Sequence, residues 1–346
     1  MAELSPIVAS RAPTSPTATT APTSPSTQSS STISSSSTSL SPSTSSSPAF
    51  AAVKLEICVD SIASAIAAEA GGARRLELCS GLTDGGLTPS YGLIQAVLSH
   101  VSIPVNVLIR PRPGDFLYSE EEISVMRADI MACKLSGVSG VVIGCLDETG
   151  NIHSSHLSLL CQASKGLSLT FHRAIDMSPE ENLESNIELL ISHNVDRILT
   201  SGLSPNVDEG KEILKKMVSI SSGRLSIMAG GGITESNIYE LLNYTGCQEI
   251  HGSARTMKDG KMIYRKSGVY MGGEKSNTGL EVEYSMKIAD ENRVRAMLQE
   301  CEKSERERKN SQSQNSSLIT NCQSSTNPSN VTSPTSSAFV SEKRSL

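Results

Sequence analysis

Between residues 54 and 252 the chain alternates between two patterns of apolar and polar positions. Short, mostly apolar runs cover 54–59, 75–79, 104–110, 140–144, 167–172, 196–200, 224–229 and 248–252. Between them, apolar residues recur every three or four positions over 60–70, 90–100, 119–135, 153–164, 178–193, 208–221 and 234–244. The first pattern predicts strands buried on both faces, as in a parallel sheet, and the second predicts amphipathic helices. Local punctuation agrees. Asp60 is a suitable N-cap for the first helix and Gly71-Gly72 closes it. Pro111 and Pro113 stop the third strand, because proline lacks a ladder donor and restricts the residue before it. Ser119 and Glu122 have capping-box spacing, and Pro179 occupies a first helical position. Strands alternating with helices in this way predict an α/β fold, a closed (β/α)8 barrel of the TIM type. An open doubly wound sheet would need a glycine-rich dinucleotide fingerprint after the first strand, where the chain instead reads Asp60-Ser61-Ile62-Ala63.

The pattern does not extend to the ends. Residues 1–52 are rich in Ser, Thr, Pro and Ala, and 303–346 in Ser, Asn and Thr apart from mixed charge at 303–309. Neither stretch carries enough apolar surface to offset chain entropy, so both are predicted to be disordered tails. About 250 residues remain for the barrel, 53–302, the usual size for such a domain. Beyond Tyr264 the alternation weakens, and 274–300 reads as an apolar extension followed by a last helix. A formal charge of −6 without basic clusters argues against nucleic acid as a partner. No apolar run reaches the length of a membrane span, and the N-terminus has no apolar core of a secretory signal. Eight scattered cysteines then point to reduced thiols rather than a disulfide framework.

Candidate chemistry gathers at the predicted strand ends. Leu55-Glu56-Ile57-Cys58 is echoed by Leu76-Glu77-Leu78-Cys79. Residues two apart on a strand share a face, so each glutamate lies beside its cysteine, and Cys58 and Cys79 are expected side by side on neighbouring strands. Taken singly, a strand-end cysteine is more often a small buried packing residue. The fifth strand ends in His172-Arg173 with Asp176 nearby, and the third in Arg110 and Arg112. Gly230-Gly231-Gly232 and Ser253-Ala254-Arg255 follow the seventh and eighth strands, where TIM barrels commonly bind phosphate. Glycine lets backbone N–H groups approach an anion, and Ser253 and Arg255 add donors. The structural alternative is a tight turn requiring glycine torsion angles. His251 completes the set of polar strand-end residues.

At these residues the chain resembles the CutC copper-homeostasis family. The resemblance rests on Glu56-Ile57-Cys58-Val59-Asp60-Ser61, on Leu76 to Leu82 with Gly85-Gly86 and Thr88-Pro89-Ser90, and on Ile109-Arg110-Pro111-Arg112 with Gly114-Asp115-Phe116. It continues through Thr170-Phe171-His172-Arg173-Ala174 with Asp176, Leu199-Thr200-Ser201-Gly202, Gly230 to Ile233, and His251 with Ser253-Ala254-Arg255. It implies a TIM-type barrel, a homo-oligomer, a cytoplasmic or cytoplasmic and nuclear location, and a role with cuprous copper. The resemblance implies that Cys58 and Cys79 match the family's candidate copper ligands. Cu(I) is soft, prefers thiolate and accepts low coordination numbers, so two cysteines suffice in principle. The long tails depart from the compact family pattern.

Three functions fit the sequence. The first is a cytosolic protein that binds Cu(I) through Cys58 and Cys79. The second is an enzyme acting on a small phosphorylated or anionic ligand. Its anchors would be Arg110, Arg112, Arg173, Gly230, Gly231, Gly232, His251, Ser253 and Arg255, with His172, Asp176 and Glu77 as acid/base groups. The third is a scaffold whose tails recruit partners. Fold alone does not decide among them.

Overall fold

The structure, a computed structural model, describes residues 52–266, 269 and 282–324. The expected N-terminal tail up to residue 51, the stretch 274–281 and residues beyond 324 lie outside them. Eight parallel strands close in sequence order: β1 (Lys54–Val59), β2 (Arg75–Leu78), β3 (Val105–Leu108), β4 (Gly140–Ile143), β5 (Ser168–Phe171), β6 (Arg197–Thr200), β7 (Ser226–Gly230) and β8 (Glu249–Gly252), with β8 pairing back onto β1. Between them run α1 (Ile62–Ala70), α2 (Tyr91–Leu98), α3 (Glu120–Ser136), α4 (Ser154–Ala163), α5 (Leu183–Ser192), α6 (Lys211–Ser221) and α7 (Ile238–Thr245). This is the predicted (β/α)8 barrel.

Two helix starts differ from expectation. Ser61, not Asp60, caps α1, because its side chain accepts the Ser64 N–H. Pro179 opens a single 3-10 turn over Glu180–Asn182, and α5 follows from Leu183. The capping box at Ser119 and Glu122 forms as expected.

Alternation along each strand sorts the core into two zones. Outward positions such as Leu55, Ile57, Leu76 and Leu78 are fully buried between strands and helices. Inward positions hold polar groups in unusual number. At the strand starts, the Arg75 guanidinium lies between Glu56 and Glu249, bonding the first through Nε and the second at 2.6 Å. Arg197 approaches Glu249 at 3.3 Å and donates to the Ser168 and Thr170 hydroxyls, while Ser226 donates to Glu249. Burying a charge is costly unless it is paired, and each charge of this ring has an opposite partner. It fills the N-terminal end of the barrel.

Past β8 the chain forms an antiparallel pair, β9 (Arg255–Asp259) with β10 (Ser285–Ala289), and then α8 (Glu291–Ser324). The inner face of α8 places Val294, Met297, Cys301 and Ser304 in full burial. A Cβ on Gly71 would lie 2.5 Å from Val294, so the glycine that ends α1 is what lets α8 dock. The helix continues past Lys303, where a disordered tail was expected. The physical reason lies on its inner face. Ser304 donates to Asn243, and Arg308 donates to the carbonyls of Leu242 and Cys247, within and just past the C-terminal end of α7. Among the described residues, no helix is long and apolar enough to cross a membrane.

Candidate functional site

At the C-terminal ends of the strands, inward side chains surround a cavity of about 380 Å³. This is the end at which barrels of this architecture carry their sites. Cys58 of β1, Glu77 of β2 and His251 of β8 form one wall, with one ligand atom from each lying within 4.8 Å of the others. Strand register explains the convergence. Cys58 pairs with Glu77 across β1 and β2, and Glu56, two residues before Cys58, pairs with His251 across β1 and β8.

The electrostatics of this wall are strongly coupled. His251 donates through Nδ1 to Glu56 at 2.7 Å, which directs Nε2 toward Glu77 at 3.7 Å and toward Cys58. Burial opposes a charged imidazole, yet the Glu77 charge and the bonds to Cys58 and Glu56 hold the proton affinity of His251 well above the usual range. Burial would raise the Glu56 carboxyl as well, but the charge of Arg75 and the His251 hydrogen bond hold it down to about 2. Glu77 has no such partner. Burial outweighs the His251 charge and pushes its pKa up to about 7.

That contrast yields a pH prediction. In the unfolded chain Glu77 titrates near an ordinary glutamate, so between about pH 4.5 and 7 the folded state holds the extra proton. Stability contributed by Glu77 is therefore present at low pH and is lost as pH rises through 7. A decline in melting temperature from pH 5 to 8 is expected for metal-free protein, and Glu77→Gln should flatten it. An unchanged slope in the variant would show that Glu77 is not the titrating group.

Cys79 is placed differently from expectation. The register sets Glu77, not Cys79, opposite Cys58, so the two thiols are offset along the strands rather than abreast. The Cys79 thiol donates to the Val59 carbonyl at 3.5 Å and packs with Leu108 and Val142 inside the barrel. Burial, then the Glu77 charge, push its pKa well up.

Arg110, His172, Arg173 and Asp176 line the same cavity. The ring of His172 lies against Gly144, where a Cβ would come within 2.2 Å of it; only glycine leaves room. Nδ1 of His172 accepts the Ala174 N–H at 3.0 Å. Burial, with the charge of Arg110, pushes the pKa of His172 down to about 3, so the ring is neutral. No carboxylate is among these causes. Asp176 is occupied elsewhere. It accepts from Arg173 at 2.7 Å, from the Ser201 backbone and hydroxyl, and from Thr200, which ties the loop after β5 to the end of β6.

The remaining predicted residues are not among those that line this cavity. Arg112 is outside its lining, bonded to Glu122 and to the carbonyls of Asp115 and Leu117, and it braces the loop leading into α3. Gly230 packs under His251 and Leu199, Gly231 faces the Arg173 guanidinium, and Gly232 faces Asn206. Ser253 is partly buried at the end of β8, and Arg255 starts β9, its carbonyl accepting from Arg293 at 2.8 Å. Residues not anticipated as part of the site are Glu56, which orients His251, and Phe116, stacked on Arg110 at 5.2 Å. The Glu-x-Cys repeat already contained Glu56, and the signal that it mattered was a charged residue inside an apolar strand.

Comparison with known proteins adds a family. The CutC family model matches residues 53–256. A human protein named copper homeostasis protein cutC homolog is 45% identical over 243 residues, covering 70% of this chain and 87% of the relative. One of the same name from Dictyostelium discoideum is 40% identical over 273 residues, covering 71% of this chain and 96% of the relative. A crystal structure of a CutC from Streptococcus agalactiae superposes with TM-score 0.57 at 32% identity, covering 58% of this chain and 98% of that one.

Proposed function

Because the chain belongs to the CutC family, we propose that it serves copper homeostasis and holds cuprous copper at the mouth of the barrel. The observation that carries this reading is the convergence of Cys58, Glu77 and His251 within 4.8 Å. The donor set suits the ion. Thiolate is a soft ligand and imidazole an acceptable one for Cu(I), whereas a carboxylate is a hard donor better matched to other metals. Cys58 and His251 are accordingly the ligands, with Glu77 beside them as a proton acceptor. Glu56 fixes the imidazole so that Nε2 is the coordinating atom, the role an outer partner usually plays at a metal-binding histidine. Cys79, the second cysteine implied by the resemblance, stays outside this ligand set, its thiol bonded to the Val59 carbonyl. We further place the protein in the cytoplasm, where free thiols persist, and as a homo-oligomer, as the family resemblance implies.

The test is competition against a Cu(I) chelator under reducing conditions. Cys58→Ser should weaken copper binding by roughly a hundredfold or more, since a hydroxyl replaces the soft ligand. Cys79→Ser should change it by about threefold or less, because Cys79 is not in the cluster. Equal copper affinity in wild type and Cys58→Ser would sink the reading.

A second reading, an enzyme acting on a small anion, is favoured by the basic wall facing the same cavity. Its acid/base pair would be Glu77 and His251 rather than Asp176, whose oxygens are already committed to Arg173, Thr200 and Ser201.

A further inference from the structure

We propose that the barrel cavity is a receptor for a small carboxylate bearing an apolar group. The proposal rests on that second reading of the cavity as a ligand site, and it names the class of ligand. Three observations carry it.

The first is an uncompensated charge. Arg110 is buried, and its terminal nitrogens donate to the backbone carbonyls of Asp84, Gly86 and Gly114. Among the described residues no carboxylate forms an ion pair with it, whereas Arg75, Arg173 and Arg197 each have one. A buried guanidinium without a counter-charge is costly to maintain unless an anion arrives from outside.

The second is a pair of orphaned donors. Nε of Arg110 and Nε2 of His172 are both buried without a hydrogen-bond partner, and both residues line the cavity. Since Nδ1 of His172 accepts the Ala174 N–H, a neutral ring carries its hydrogen on Nε2. Two unpartnered N–H donors ask for two acceptors, and one positive charge asks for one negative. A carboxylate supplies both.

The third is the character of the remaining wall. Leu82, Leu108, Phe116, Met177 and Leu199 complete the lining, so the body of the ligand is apolar. Phosphate does not match this chemistry. It would carry more charge into an apolar chamber that already contains Glu77.

The test uses the full chain, freed of copper, and calorimetry with 3-methylbutanoate, the isosteric 3-methylbutan-1-ol, and inorganic phosphate. Wild type should bind the carboxylate at least tenfold more tightly than either control. His172→Asn keeps an acceptor for the Ala174 N–H but lacks the Nε2 donor, and should weaken carboxylate binding roughly tenfold. Equal binding of acid and alcohol, tighter binding of phosphate, no binding at all, or a folded His172→Asn with wild-type affinity would each overturn the proposal. Should His172→Asn not fold, nitrogen NMR of the wild-type histidines decides. A carboxylate-induced shift at His172 Nε2, absent with the alcohol, supports it, and no shift refutes it. Copper titration of the same preparations keeps the two readings apart: carboxylate binding lost with copper binding intact counts against this proposal alone.

Discussion

Arg75→Met should destabilise the protein by about 3–5 kcal/mol, the usual cost of stranding buried partners of a removed charge. Arg75 is the guanidinium between Glu56 and Glu249, and both carboxylates are buried. Removing it leaves Glu249 with Arg197 at 3.3 Å and Glu56 with only the His251 bond. The methionine replaces much of the volume, so the loss would report charge rather than a cavity. A drop of roughly 10 °C in melting temperature is expected for a domain of this size. Thermal unfolding and urea titration at pH 7 measure it, and a loss under about 1 kcal/mol would mean that the ionic ring does not hold the lower barrel together. The same substitution should raise the pKa of Glu56, since the Arg75 charge is what chiefly overcomes its burial.

The second large effect concerns α8. Ending the chain after Glu300 should cost about 2–4 kcal/mol, whereas ending it after Ser311 should cost almost nothing. The shorter chain loses the buried Cys301 and Ser304, the bond from the Val53 N–H to Glu305, and the Arg308 contacts with the end of α7. The longer chain keeps all of them. Melting curves of the two truncations decide the matter, and equal melting temperatures would show that the helix beyond Glu300 is dispensable.

Both predictions bear on what the sequence revealed. The eight strands were legible because each is a nearly continuous apolar run closed by glycine, proline or a polar strand end. Residues such as Leu76 and Leu78 could only be buried. The placement of Cys58 with Glu77 was not legible. A period of two assigns a side chain to a face but says nothing about how far one strand is staggered along its neighbour. Cys58 and Cys79 therefore looked abreast when the register sets Glu77 between them in the pairing. His251 and Glu77 were both recognised as site residues, but their meeting needed barrel closure, which brings β8 beside β1. The end of α8 was hidden for another reason. After Cys301 its inner face is made of Ser304 and Arg308, so the apolar periodicity stops while the helix continues, held by polar contacts with α7.

The buried ionic ring at the strand starts also decides traffic. Arg75, Glu249 and Arg197 occupy that end with paired charge, so a ligand leaving the chamber that way would have to pass a buried ionic ring. On that geometry, passage is easier at the strand ends, among the lining residues Arg173 and Met177. A donor and an acceptor of cargo that both approach the strand ends would then take turns there rather than act from opposite ends.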